Sequence, residues 1–183
     1  MADAQARVAT READQAEEGF PSFAQVVLRK PTVQDVPVMA RIINQYAAQG
    51  KMLPRSHHRL YGDLRDFTLA TLEGCVVGCG GLHVTWEDLA EVRSLAIDPQ
   101  YVHRGIGRLL VERLLVEARE LGLPRVFALT YQQAFFARLG FTVVSRDTLP
   151  HKIWGECLDC PKFQNCDEIA MIRDIPFPKE QVK

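Results

Sequence analysis

No run of apolar residues in this sequence approaches the ~20 that a membrane-spanning helix needs, so no such helix is expected. Neither sign of charge is in excess: 22 Lys and Arg face 23 Asp and Glu, for a formal net charge of -1. A chain so balanced sets up no global field toward nucleic acid or an anionic lipid surface. The first residues carry no apolar h-region, which argues against a secretory signal and makes the cytoplasm the expected location. Residues 1–21 have almost no large apolar side chains and are rich in Ala, Gln, Glu and Arg. They are expected to form a flexible tail ahead of a single domain over 22–183. Five cysteines, an odd number, do not make a fully paired disulfide framework. Cys75 and Cys79 lie in an apolar run and read as small buried hydrophobes.

What is present is an alternation of strand-like and helix-like segments in 183 residues, 47% hydrophobic and 25% charged, enough for one well-filled core. Residues 23–29 read as a strand. Thr32 looks like a helix N-cap with Asp35 three residues on. Val36, Met39, Ala40, Ile43 and Tyr46 then recur at helical spacing, giving an amphipathic helix over 33–49 that Gly50 stops. Residues 51–66 are basic and irregular, with a short helix near 58–64. Strands are expected over 67–72 and 76–84, joined by a Glu73-Gly74 hairpin turn, and over 91–97, closed by Pro99. A helix over 105–121 places Ile106, Leu110, Leu114, Ala118 and Leu121 on one side, and Gly122 and Pro124 end it. A strand over 125–130, a short helix over 132–139 and strands over 141–145 and 168–173 complete the chain. The order β-α-β-β-β-α-β-α-β-β is a mixed α/β arrangement around one sheet.

The most informative passage runs from the 91–97 strand through Asp98-Pro99 into the helix that starts near Gly105. A helix N-terminus leaves backbone N–H groups without partners, and the summed peptide dipole adds positive charge there. A diphosphate is a natural occupant. Gly105 and Gly107 allow close approach to the main chain, and Arg104 and Arg108 add positive charge at the rim. Other phosphate readers fit badly. A Rossmann fingerprint would need glycine where Leu110 stands, and no G-K-[ST] ends a Walker loop. On these residues alone, a ligand-free glycine-containing helix entry is an equal reading.

Leu95-Ala96-Ile97-Asp98-Pro99, followed by Val102-His103-Arg104-Gly105-Ile106-Gly107-Arg108-Leu109-Leu110, resembles the acetyl-CoA motif of the GNAT acetyltransferases, [RQ]-x-x-G-x-[GA] after a short strand. Ala134-Phe135-Phe136-Ala137-Arg138-Leu139-Gly140-Phe141 resembles the family's second signature, A-x-x-F-Y-x-x-x-G-F. Together the matches cover 91–144 at the family's spacing, and the element order matches its fold. The resemblance implies a GNAT-like mixed central sheet flanked by helices and splayed at the acetyl-CoA site, with acetyl-CoA as co-substrate. The strand edge at Leu95, Ala96 and Ile97 would pair with the pantetheine amides. The pyrophosphate would lie over His103, Arg104, Gly105, Ile106, Gly107 and Arg108. Two departures stand out. Val102 occupies the Arg/Gln position, which matters little if the cradle is main chain. Phe136 occupies the position of the tyrosine that usually protonates the departing thiolate.

Within the superfamily, the chain resembles the acetyltransferase domain of the N-acetylglutamate synthases of arginine biosynthesis. Leu53-Pro54-Arg55-Ser56, the run ending Asp66-Phe67, Glu91, Leu129-Thr130 and Leu149-Pro150 carry that resemblance. The amino-acid kinase domain common in that family is absent, so the resemblance is to a short, stand-alone form. It implies an amino-acid acceptor, L-glutamate, attacking the thioester directly in a ternary complex. Two carboxylates call for cationic donors: Arg55 with Ser56, and Lys152 or Lys162. An α-amine with a pKa of about 8 is mostly protonated at neutral pH, so a base is needed, and Glu91 is the candidate. With Phe136 unable to donate, Thr130 or Tyr131 is left to protonate the thiolate. By analogy with the family, a homodimer is the expected assembly, with no nucleic-acid or membrane partner. A different acceptor amine, a non-catalytic CoA-binding sensor and a metal-stapled interaction module stay open as alternatives.

Cys157-Leu158-Asp159-Cys160 with Cys166 gives C-x2-C-x5-C, and His151 lies six residues before the first cysteine. A tetrahedral structural zinc site, a redox pair and three ordinary cysteines are all compatible with that pattern. A catalytic metal is not, since aminolysis of a thioester needs none.

Overall fold

The computed structural model describes residues 26–149 and 166–177. The expected tail at 1–21, residues 23–25 of the first strand, and His151, Lys152, Cys157, Cys160 and Lys162 lie outside the described residues.

The chain enters on strand β1 (Val26–Arg29), turns through a 3-10 segment (Val33–Asp35) into helix α1 (Val36–Ala47), and continues to the short helix α2 (His57–Gly62). A second 3-10 turn (Leu64–Asp66) leads into β2 (Phe67–Leu72), β3 (Cys75–Trp86) and β4 (Leu89–Ile97). Helix α3 (Ile106–Glu120) crosses over to β5 (Arg125–Thr130), and α4 (Gln133–Arg138), β6 (Thr142–Val143) and β7 (Ile169–Asp174) follow. The seven strands form one sheet in the order β1-β2-β3-β4-β5-β7-β6. All its pairings are antiparallel except β4–β5, which is parallel and therefore needs a long crossover, here α3.

The alternation of the strands sends their apolar residues to two helical layers. On one face Phe67, Leu69, Cys79 and Ala96 pack under Met39, Ile42 and Ile43 of α1 and Leu60 of α2. On the other, Leu82, Val92, Val126 and Ala128 pack under Val111, Leu114, Leu115 and Ala118 of α3. β3 is glycine-rich where it meets β4 and α3. A Cβ on Gly80 would stand 3.0 Å from the Leu95 side chain and 3.4 Å from Leu114, and one on Gly78 would stand 2.7 Å from Ile97 Cδ1.

The Glu73-Gly74 turn has positive φ at both residues, 50° and 81°, the twist that suits a two-residue hairpin. Cys75 follows this turn directly and is exposed; the apolar run does not bury it, because it leaves the turn before the sheet is covered. Cys79 is buried as expected, and burial pushes its thiol up to about 12. β4 begins at Leu89 rather than at Glu91, and the expected 141–145 strand shrinks to two residues.

Entry to α1 is fixed by Asp35. Its carboxylate accepts from the Thr32 main-chain N–H (2.7 Å) and hydroxyl (2.9 Å) and takes both arms of the Arg29 guanidinium at 2.7 and 2.8 Å. The Arg29 hydrogen bonds hold the Asp35 carboxyl well below the usual carboxylate range. Its folded-state value lies below its unfolded one, so its contribution is complete above about pH 4 and fades as the pH falls through the unfolded value toward the folded one. Asp35→Asn is expected to cost about 1 kcal/mol at neutral pH. Thermal melts of both proteins from neutral pH into the acid range should show the gap closing below about pH 4; a constant gap would show that the charge is not responsible.

Candidate functional site

β4 pairs with β3 along its length but with β5 only at Leu89, Ala90 and Glu91. The cause lies inside β4. Gly81 faces Arg93 and Cys79 faces Ala96, so Ser94 and Leu95 together oppose Gly80. Ser94 takes a φ of 51°. Such a bulge bends its strand and sharpens the twist. Past Glu91 the two parallel strands therefore separate, and a cleft of ≈ 1120 Å³ opens between them.

One end of the cleft is main chain. Asp98 caps the 3-10 turn Pro99–Tyr101 through Gln100 N–H (3.2 Å) and is paired with Arg41 at 3.1 Å. The chain then passes through two left-handed residues, His103 (φ 63°) and Gly105 (φ 76°), before α3 begins. The opening N–H groups of α3 have no acceptors within the helix, and with its dipole they form a seat for a diphosphate. His103, Gly105, Ile106, Gly107 and Arg108 lie in the cleft wall, as do Leu95, Ala96 and Ile97 of β4. Arg104 stands apart from the wall, its guanidinium 5.2 Å from the centre of the Tyr101 ring. A Cβ on Gly107 would touch the Phe135 ring at 3.5 Å, so α4 leans on this turn. Tyr46 donates its hydroxyl proton to Ile97 O at 2.6 Å, and burial raises its pKa, with Asp98 adding to the effect.

The other end is built from charged side chains. Arg55 is buried, with its main chain tied to Asn44 in both directions (2.8 and 2.9 Å), its Nε donating to Ser94 Oγ at 3.1 Å and its Nη1 3.8 Å from Asp63. Arg93 is buried beside it and meets Asp63 at 3.0 Å and Asp66 at 3.1 Å. Asp66 also bonds His83 Nδ1 at 2.7 Å. Glu91 stands two residues before Arg93 on the same face of β4, directly opposite His83. Arg55, His83, Glu91, Arg93 and Ser94 all line the cleft.

Thr130 closes the far wall at the end of β5, 7% exposed. Its oxygen accepts the Gln132 N–H at 2.8 Å, which uses a lone pair and not the hydroxyl proton. Tyr131 donates to Asp167 at 2.7 Å and is tied to the segment that leads into β7. Phe136 packs edge-to-face on Phe135 and Phe141, ring centres 5.1 Å apart in each case, and contributes only carbon to the cleft.

Of the residues singled out from the sequence, Ser56 does not line the cleft; its hydroxyl caps α2 through Arg59 N–H at 3.2 Å. Cys166 Sγ lies 3.7 Å from Glu168, and among the described residues no three His, Cys, Asp or Glu side chains are grouped to hold a metal. The sequence reading missed Arg93, His83, Asp63 and Asp66. A signal existed for Arg93, a charge two residues from Glu91 in an otherwise apolar strand and so on the same face. None existed for the bulge, because serine is not a residue that announces positive φ.

The profile of the family described as acetyltransferase (GNAT) matches residues 39–141, more than half of the chain. The chain belongs to the GNAT acetyltransferase family. It is an acyltransferase with acetyl-CoA as co-substrate, and the cleft has what that molecule requires: a free strand edge, an anion seat and a split sheet between them. Among relatives, an uncharacterised N-acetyltransferase of Chlorobaculum tepidum is 39% identical over 83% of this chain and 98% of its own. An amino-acid acetyltransferase of Mycobacterium tuberculosis is 41% identical over 74% of this chain and 79% of its own. The crystal structure of N-acetylglutamate synthase from Neisseria gonorrhoeae, complexed with coenzyme A and N-acetyl-glutamate, superimposes with a TM-score of 0.76 at 28% identity. That match covers 83% of this chain and 35% of the Neisseria chain.

In this GNAT cleft the left-handed Gly105 shapes the diphosphate seat. Gly105→Ala imposes about 1 kcal/mol of backbone strain, which should weaken acetyl-CoA binding several-fold in calorimetric titration. An unchanged Kd would show that the seat does not depend on that conformation.

Proposed function

We propose that this enzyme acetylates the α-amine of an amino acid, L-glutamate, and so supplies N-acetylglutamate for arginine biosynthesis in the cytoplasm. The observation that carries this reading is the meeting of one carboxylate, Glu91, with two buried guanidinium groups, Arg55 and Arg93, where the sheet splits. Guanidinium groups match carboxylates with a planar fork, and glutamate brings two carboxylates beside its amine. The Mycobacterium relative, by name an amino-acid acetyltransferase, and the Neisseria synthase with its bound N-acetyl-glutamate support the same acceptor class. Lys152 and Lys162 are further candidates for the second carboxylate.

Acetyl-CoA supplies the thioester. Leu95, Ala96 and Ile97 present the edge that holds the pantetheine, His103 to Arg108 seat the diphosphate, and main-chain N–H groups near Leu95 and Ala96 polarise the carbonyl. Glu91 accepts a proton from the acceptor amine, worth about 10²- to 10⁴-fold in rate. Thr130 gives its hydroxyl proton to the departing thiolate. Attack is direct. The best-buried cysteine, Cys79, is held as a neutral thiol by burial, and Cys75 sits on the hairpin away from the cleft.

Thiol release from acetyl-CoA, followed across individual amino acids, tests the acceptor. Glutamate should be fastest; activity with another amine and none with glutamate would overturn the acceptor while leaving the acetyltransferase. Arg55→Lys, which keeps the charge and loses the fork, should raise the KM for glutamate at least tenfold with little change for acetyl-CoA. A separate pair checks the acid: Thr130→Val should lower kcat at least tenfold and Thr130→Ser should retain most of it. Equal loss in both would mean that packing, and not the proton, is what Thr130 provides.

A further inference from the structure

The chemistry leaves one proton to be disposed of. An ammonium acceptor starts with three N–H protons. One stays in the amide, one ends on the CoA thiol, and the third must leave the cleft before the next turnover. A carboxylate base that keeps it is blocked.

We propose that His83, held by Asp66, is the outlet through which Glu91 passes that proton to solvent. The inference rests on Glu91 being the base. His83 and Glu91 are direct cross-strand partners of β3 and β4, and both line the cleft. Facing side chains in such a pair have Cβ atoms about 5 Å apart, within reach of each other directly or through one water. Asp66 Oδ2 lies 2.7 Å from His83 Nδ1 and also accepts from Arg93 Nη2 at 3.1 Å. A carboxylate paired with a guanidinium stays charged and acts as an acceptor, so it fixes the proton of the neutral imidazole on Nδ1 and leaves the Nε2 lone pair open. The His83 side chain is 38% exposed while that of Arg93 is 4% exposed, so of the groups in this network the imidazole is the one that reaches water.

The charged and titratable groups on the elements around His83 are Asp63, Arg65 and Asp66 of the turn before β2, Glu91 and Arg93 of β4, and Arg55. The transfer balances. The amine nitrogen loses a proton to a Glu91 oxygen. Glu91 returns to carboxylate by protonating His83 Nε2. The imidazolium, stabilised by Asp66, releases the same proton to water.

The test is chemical rescue, run with whichever amino acid is the fastest acceptor. His83→Ala should lower kcat at least tenfold at neutral pH, leave the Kd for acetyl-CoA unchanged, and recover much of the lost rate, saturably, when imidazole is added. His83→Gln fills the space and keeps a donor for Asp66 but carries no proton. It should become dependent on buffer concentration where the wild-type enzyme is not, and it serves if the alanine variant does not fold. Full activity in both variants, or a loss that neither imidazole nor buffer relieves, overturns the outlet. Glu91→Gln separates the two readings. If it is slow while the His83 variants are fast, only the outlet fails. If Glu91→Gln is as fast as wild type while His83→Ala is slow and rescued, His83 is itself the base and both assignments fall.

Discussion

Two residues of β4 set against one of β3 decide how this molecule works. With Ser94 at φ 51° and Leu95 beside it, the strand bends away from β5 after only three paired residues. A non-glycine residue in that region costs roughly 1 kcal/mol, so the surroundings must hold it there. Leu95 is pressed toward Gly80 and Leu114, and Ser94 Oγ is bound by the buried Arg55. The glycines of β3 follow from the same constraint, since any Cβ at Gly78 would collide with Ile97. Opening the sheet for a ligand and fixing an arginine at its edge are thus one structural event.

That arginine is part of a balanced set. Arg55 and Arg93 are both buried, and removing two guanidinium groups from water is costly unless anions accompany them. Asp63 and Asp66, on the short turn ahead of β2, provide the counter-charge. The irregular stretch between α1 and β2 therefore has a definite purpose. It carries Arg55 in at one end and the two aspartates at the other, with α2 as the spacer between them. The network adds little net charge, and its worth lies in fixing where two planar donors stand.

Much of this was legible in the sequence. The strand and helix order followed from periodicity, and β5 fell on its expected residues because Gly122, Pro124 and the β-branched pattern mark its limits. The anion seat was legible because its chemistry is local: a strand, a turn, two glycines and a helix start within a dozen residues. Thr130, Glu91 and Arg55 were reached through resemblance and do meet at one cleft. His83, Asp63, Asp66 and Arg93 were not reached, because their relation exists only once β3 pairs with β4 and the 63–66 turn folds back on both. Ser56 shows the converse. Its place beside Arg55 suggested a ligand, yet its hydroxyl is used locally to start α2, which is what serine before a helix most often does.

The two ends of the cleft answer to different rules. The donor end reads its ligand by peptide groups, so Val102 can stand where relatives of the motif carry Arg or Gln, and Arg104 can turn away to Tyr101. The acceptor end reads by side-chain charge, where a change of one atom matters. Proton delivery lies between these extremes. Phe136 fills the place of a hydroxyl donor with packed carbon, clamped between Phe135 and Phe141, so the proton for the thiolate has to come from the opposite wall. Thr130 is placed for that because its oxygen is already oriented by the Gln132 N–H, which leaves the direction of its own proton to the ligand. A short hydroxyl fixed by main chain is a tighter construction than a tyrosine on a two-turn helix, and it frees α4 to brace the diphosphate seat through Phe135 and Gly107.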